Sequence, residues 1–471
     1  MKPLSGLDAL FLHLETPETP MHVGALHLLA LPAGDPRAYV AAVRRHVAGR
    51  LHLSPVFTRR LAPMPLALAN PVWVHADRVD LRVHVRHVRL PAPGSFAQLE
   101  ATVARLHARL LERDRPFWRL YVIDGLASGQ LALYTKVHHA TLDGAASVAF
   151  AQALLDATPV PRAVSASRHS ARGEHPGRAQ LLGAAVRTTA TQAARALKVV
   201  PELARVLTTL VARGDGVAAL PVKRESFRFA PRTPLNVTIG RARAVATLSI
   251  PLPAVARIAD RHRVTVNDVV LAIVSGALRR HLGPRGGLPA QSLVAAVPVS
   301  LREAGNTDAT TLATMSRMSL ATDVEAPLER LQAIHAGSGR AKALTRELRS
   351  VIPTDFPSLG MPWLFGAAAA LYGRARLADR VPPLANLVVS NFPGSGTPLF
   401  LAGARLLTWW PLSIVEHGLG LNVTVQSYAG SLDFGVVCAR DALRDAGAFA
   451  GAMRAAFDEL AAVRVSAGGT K

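Results

Sequence analysis

The stretch Lys136-Val137-His138-His139-Ala140-Thr141-Leu142-Asp143-Gly144 decides how this 471-residue chain is read. Two adjacent histidines close a largely apolar run, and an aspartate and a glycine follow, giving the pattern HHxxxDG. Upstream, residues 131–137 have strand composition. The turn-like Ala127-Ser128-Gly129-Gln130 separates them from a second such run at 118–126, which predicts a hairpin. Downstream, apolar residues from 144 to 157 recur at helical spacing. The histidines therefore fall where a strand enters a loop ahead of a helix, and such loops commonly display reactive side chains on a rigid scaffold.

Successive strand residues point to opposite faces, so His138 and His139 cannot both face one pocket while the strand persists. One is expected to be catalytic and the other structural. A neutral imidazole, with its reference pKa of about 6.5, is suited to taking a proton from an alcohol with little tuning. That role is assigned to His139. Asp143 has two readings, orienting the imidazole or holding the loop by pairing with a distant arginine, and the second is preferred. For an isolated His-x-x-x-Asp match, packed histidines in an Asp-Gly turn would be the better reading; the doubled histidine and terminal glycine favour chemistry. No metal site is expected, because adjacent strand histidines diverge and the chain has neither HExxH nor paired Cys-x-x-Cys. Nor is there a G-x-S-x-G elbow to supply a serine nucleophile.

Other stretches extend the motif into a resemblance. The opening Pro3-Leu4-Ser5-Gly6-Leu7-Asp8-Ala9-Leu10-Phe11, then Glu15-Thr16-Pro17 and Pro20-Met21-His22-Val23-Gly24, resembles the start of the bacterial wax ester synthase/diacylglycerol acyltransferase family. Pro116-Phe117-Trp118 is similar to that family's Pro-Leu-Trp motif, with phenylalanine in place of leucine. Asn267-Asp268, Val297-Pro298-Val299-Ser300-Leu301-Arg302 and Ser390-Asn391-Phe392-Pro393-Gly394 follow in order, the last departing from the usual Asn-Val-Pro. The two substitutions keep apolar character and bear on acyl-chain preference more than on reaction type.

The resemblance implies an α/β chain of two chloramphenicol acetyltransferase-like domains, with the active site in a tunnel between them. Acyl-coenzyme A as co-substrate would enter from one mouth, and diacylglycerol or a long-chain alcohol from the other, meeting at His139 with no further cofactor. His138 and Asp143 complete the catalytic motif. Gly144, Asn267, Ser300, Arg302 and Asn391 are candidates for substrate binding, and Pro116, Trp118, Asp268 and Pro393 for structural support. Two readings compete with this one. The same base would serve to acylate a sugar or polyketide hydroxyl, and a non-catalytic lipid-surface protein is the reading from another class.

Length near three times the ~150-residue domain prior allows two large cores, and half of the residues are apolar. No uninterrupted apolar stretch reaches the roughly 18 residues that suggest a spanning helix. The opening Met1-Lys2-Pro3 lacks the layout of a secretory signal, so a cytoplasmic protein peripherally associated with membrane or lipid droplets is expected. Cys438 is the only cysteine; lying in an apolar run, it reads as a packed small side chain. The net charge of +22 has three competing partners, namely nucleic acid, an anionic membrane and a phosphorylated substrate such as coenzyme A. Aromatic residues are only 5% and no nucleic-acid module is evident, so nucleic acid is set aside. A positive field favours the other two.

Along the chain, the expected organisation is an N-terminal domain at 1–157, a connector at 158–229 and a C-terminal domain at 230–471. Residues 21–31 read as a strand, and 36–51 as a helix with Asp35 as N-cap and proline in its first turn. In the connector, Leu182, Val186, Ala190, Ala193, Leu197 and Val200 form an apolar stripe opposite Arg187, Arg195 and Lys198. Such a helix either lies on an anionic membrane or packs on its own protein, and the second fate is commoner. In the second half, Thr265 followed by Asp268 approximates a capping box opening the helix at 269–282. Asp268 then needs no catalytic explanation. Arg302, beyond a strand at 293–299, is read as binding substrate phosphate or neutralising a buried carboxylate such as Asp143. Asn391 to Gly394 reads as a turn after a strand at 386–390 and as a crossing between halves. A hairpin at 419–438 and a closing helix with Phe449, Met453, Phe457 and Leu460 on one face complete the pattern.

Overall fold

A computed structural model describes residues 2–4, 6–30, 35–62, 64–65, 70–142, 144–165, 176–177, 179–183, 186–187, 229–300, 313–348 and 362–463. Asp143, Arg302 and residues 188–212 of the amphipathic stretch lie outside them.

The apolar run before the motif forms the strand Leu131–His138, paired antiparallel with Trp118–Asp124 across the expected hairpin and with His22–Ala30 on its other edge. Val85–Arg89 adds a parallel strand beyond Trp118–Asp124. The Leu131–His138 strand is covered on both faces, which is why its sequence is a nearly continuous apolar run rather than an alternating one. Helix Pro36–Ala48 packs beside this sheet, with the Asp35 side chain accepting from Arg37 N–H and Pro36 in the first turn.

A second mixed sheet has the order Ala313–Ser319, Val294–Ser300, Leu387–Phe392, Leu421–Tyr428, Ser431–Ala439, Arg243–Pro251. Helices Val266–Leu282 and Ala446–Ala462 cover it. Val269 to Val274 are all buried there, as are Phe449, Met453, Phe457 and Leu460. Each large apolar side chain so buried contributes roughly 1.5–3 kcal/mol. Cys438 lies in the same core, its thiol pushed up to about 12 by burial, so it is packing rather than a nucleophile.

Two boundaries differ from those expected. Asn391 is not in a turn: the parallel pairing of Leu387–Phe392 with Leu421–Tyr428 runs on through Asn391↔Val425 to Phe392↔Gln426, and the backbone leaves the sheet only afterwards. Ser300 likewise belongs to its strand, paired with Ala313, rather than following it.

After Phe392 the chain crosses to the first sheet. Ala404–Leu406 and Trp410–Leu412 both pair antiparallel with His22–Ala30, and Phe400–Leu401 forms the outer edge. Each sheet thus draws on the second half of the chain. The crossing is tight: a side chain at Gly435 would put its Cβ 1.7 Å from the Pro411 carbonyl oxygen. Trp410 Nε1 donates to Ser249 Oγ at 2.9 Å. Glu100, on helix Phe96–Ala108, accepts from the backbone N–H and hydroxyl of Thr247 at 2.7 and 3.0 Å.

Candidate active site

Strand pairing stops at the first histidine of the motif. His138 N–H donates to Phe117 O at 3.0 Å and His139 N–H to Met21 O at 2.8 Å, so the chain is held on both sides as it turns. Residues His139–Thr141 form a single 3-10 turn, capped by the His138 ring: its Nδ1 accepts from Ala140 N–H at 3.0 Å. Leaving the strand between the two histidines sends their side chains apart. His138 is fully buried. His139 is half-buried, stacked on Phe11 with ring centroids 3.8 Å apart.

Behind His138 lies a charged cluster. Glu15 Oε1 is 3.2 Å from both His138 Nε2 and His22 Nε2, and it accepts from Met21 N–H at 3.3 Å. Its other oxygen is 3.3 Å from Arg113. Burial alone would raise the Glu15 pKa, yet the two imidazoles against its oxygen hold it far below the usual carboxylate range. His22 is pushed down to about 3 by burial and by the nearby Lys136 cation. Lys136 is itself buried, and its ammonium donates to the Leu106, His107 and Arg109 carbonyls at the C-terminal end of helix Phe96–Ala108. Burial lowers that amine to about 7.

Glu15, His22 and His138 bring three potential ligand atoms within 4.8 Å of one another. The hydrogen bonds decide against their use as a metal set. Since Nδ1 of His138 accepts from Ala140 N–H, the proton of the neutral ring sits on Nε2, facing Glu15. A metal would need that nitrogen's lone pair.

His139 is pushed down to about 4 by burial and by the adjacent His138, so the ring is uncharged near pH 7. Its Nδ1 is buried and has no hydrogen-bond partner among the described residues. An uncharged imidazole is competent to accept a proton.

Trp118 and Phe117 pack beside this arrangement, and Pro116, which precedes them, is buried. Trp118 Nε1 donates to Phe57 O at 3.1 Å, and the intervening Phe117 ring lies 4.8 Å from that of His138. Gly144, the last residue of the motif, opens helix Gly144–Leu154. Asp268 is structural: with Thr265 it forms a capping box, and it also accepts from Ser338 Oγ at 2.6 Å and contacts His335 Nδ1 at 2.7 Å. Asn267 is half-buried in the first turn of that helix, and Pro393 is exposed. Among the described residues no hydrogen bond or ion pair joins Asn267 or Asn391 to either histidine. The roles of Glu15, His22, Phe11 and Lys136 are what the sequence reading missed; the signal was the Glu15 and Pro20-Met21-His22 stretch of the resemblance, quoted without a role.

Residues 4–270 match the family model for the wax ester synthase/diacylglycerol acyltransferase catalytic domain, and 313–461 match the C-terminal domain of the same family. The chain belongs to the wax ester synthase/diacylglycerol acyltransferase family. A putative diacylglycerol O-acyltransferase of Mycobacterium tuberculosis is 37% identical over 443 residues, covering 93% of this chain and 94% of the relative. A probable diacylglycerol O-acyltransferase of the same organism is 36% identical, covering 92% and 93%. Among solved structures, the wax ester synthase/diacylglycerol acyltransferase of Marinobacter aquaeolei VT8 superposes with a TM-score of 0.69 at 30% identity, covering 98% of both chains. The first condensation domain of the calcium-dependent antibiotic synthetase shares the fold at 16% identity and a TM-score of 0.55. The two-lobed, mixed α/β architecture and the acyltransferase class expected from the motifs are therefore shown for this family member. No helix of the described residues is long and apolar enough to cross a membrane.

Proposed function

We propose that this acyltransferase moves a long-chain acyl group from acyl-coenzyme A to diacylglycerol, to a long-chain alcohol, or to both, with His139 as general base. The observation that carries the reading is the uncharged, half-buried His139 ring, stacked on Phe11 and held at the turn of a family motif by a fully buried neighbour. The imidazole takes the hydroxyl proton as the alcohol oxygen attacks the thioester carbonyl carbon. The tetrahedral intermediate collapses with cleavage of the carbon–sulfur bond, and the imidazolium returns its proton to the departing thiolate. No acyl-enzyme is required.

General-base assistance supplies about 10²–10⁴-fold, and the remaining acceleration comes from positioning in a tunnel between the lobes and from hydrogen bonds to the oxyanion. The +22 charge suits the phosphates of coenzyme A and an anionic lipid surface presenting the acceptor. Purified protein offered one labelled acyl-coenzyme A with diacylglycerol or with a long-chain alcohol should form triacylglycerol or wax ester. Thioester cleavage that occurs only with sugar or polyketide hydroxyls would replace these acceptors, and no cleavage with any alcohol would leave a non-catalytic lipid-surface protein.

A further inference from the structure

Glu15 takes no part in the reaction written above, yet its carboxylate contacts two imidazoles, a backbone N–H and an arginine. It follows helix Gly6–Leu14, which also carries the Phe11 ring stacked on His139. Its side chain is 2% exposed, with one oxygen against two imidazoles and a backbone N–H and the other against Arg113. Arg113 donates in turn to Leu12 O at 3.1 Å, tying the carboxylate back to the helix that presents Phe11.

From these contacts we infer that Glu15 is a positioning residue for the acyl transfer, fixing His138 in the Nε2-protonated tautomer and so setting the turn that presents His139. The chain of causes is short. An imidazole facing a carboxylate through Nε2 keeps its proton there, which leaves Nδ1 as an acceptor. That acceptor holds Ala140 N–H, the first donor of the 3-10 turn on which His139 rides. Without the carboxylate, His138 is free to protonate at Nδ1; a donor would then face the Ala140 N–H donor and the turn would lose its cap. His22, paired in register with His138, brings its Nε2 to 3.2 Å from the same Glu15 oxygen and accepts from Leu111 N–H at 3.4 Å.

The inference rests on His139 acting as the base, and its test separates the two. In the full chain with ¹⁵N-labelled histidine, His138 should appear as the Nε2-protonated tautomer, and Glu15→Ala should convert it to a mixture or to the Nδ1-protonated form. In turnover, Glu15→Ala should lower kcat by about 10- to 100-fold, part of what the base supplies, while KM for acyl-coenzyme A stays within about twofold. Glu15→Gln keeps an acceptor oxygen at this position and should recover most of the lost rate and the wild-type tautomer; it also decides the matter if the alanine variant does not fold. An unchanged His138 tautomer in Glu15→Ala, or glutamine and alanine variants equally impaired, would overturn the positioning role. Absence of acyl transfer by the wild-type protein would overturn the proposed reaction instead, since the tautomer measurement needs no substrate.

Discussion

Two adjacent histidines of the same chemistry end in opposite circumstances because a strand stops between them. His138 keeps its place in the sheet, its ring held between Ala140 N–H and the Glu15 carboxylate, whereas His139 begins a turn and stacks on Phe11. Replacing His139 with alanine should therefore cut acyl transfer by about 10²–10⁴-fold while the melting temperature moves only a few degrees. Near-normal turnover of the purified variant would remove the base assignment. Burial of imidazoles has a second effect, on stability. His22 is pushed down to about 3 and His27, His84 and His139 to about 4, against about 6.5 in an unfolded chain. Between those values the unfolded chain binds more protons than the folded one. Their stabilising contribution is whole above about pH 6.5 and is lost as pH falls toward 4, on the order of 1–2 kcal/mol for each ring by pH 5. Thermal unfolding at pH 7, 6 and 5 should show a falling midpoint, and an unchanged midpoint would contradict the burial of these rings as neutral groups.

Elements whose pattern is local were readable, and those that depend on a distant partner were not. The Thr265 to Asp268 spacing carries its own explanation, since a hydroxyl and a carboxylate three residues apart satisfy each other's backbone donors wherever a helix starts. Thr265→Ala should cost about 1 kcal/mol in denaturant unfolding and leave kcat unchanged; a large loss of turnover at wild-type stability would mean the cap serves the reaction directly. The apolar runs at 118–124 and 131–138 were equally plain. Lys136 was not, because a lysine in a strand ordinarily lies at a water-facing position. Only the free carbonyls ending helix Phe96–Ala108 make its burial tolerable. The link between Glu15, His22 and His138 was hidden for the same reason: His138 lies more than a hundred residues from the other two, and the three share no period. Strands of two or three residues such as Phe400–Leu401 and Ala404–Leu406 are too short to show alternation at all.

At the scale of the molecule, the two sheets are joined by shared backbone rather than by surface contact alone. The crossing segment presses the Pro411 carbonyl onto Gly435, where no Cβ can be accommodated without moving main chain. Gly435→Ala should destabilise the whole protein by about 1–3 kcal/mol and expose residues 400–412 to limited proteolysis, with wild-type melting and wild-type cleavage as the contrary result.

The crossing also dictates an order of events during synthesis. Leu28 N–H finds its acceptor on Thr408, 380 residues later, so the edge of the His22–Ala30 strand leaves the ribosome bare and stays bare until almost the entire polypeptide has emerged. An unpaired strand edge invites pairing with another nascent chain. Ribosomal stalling or premature termination before codon 400 would therefore release a product with an open, adhesive flank, and the cell must either shield that flank or degrade the fragment.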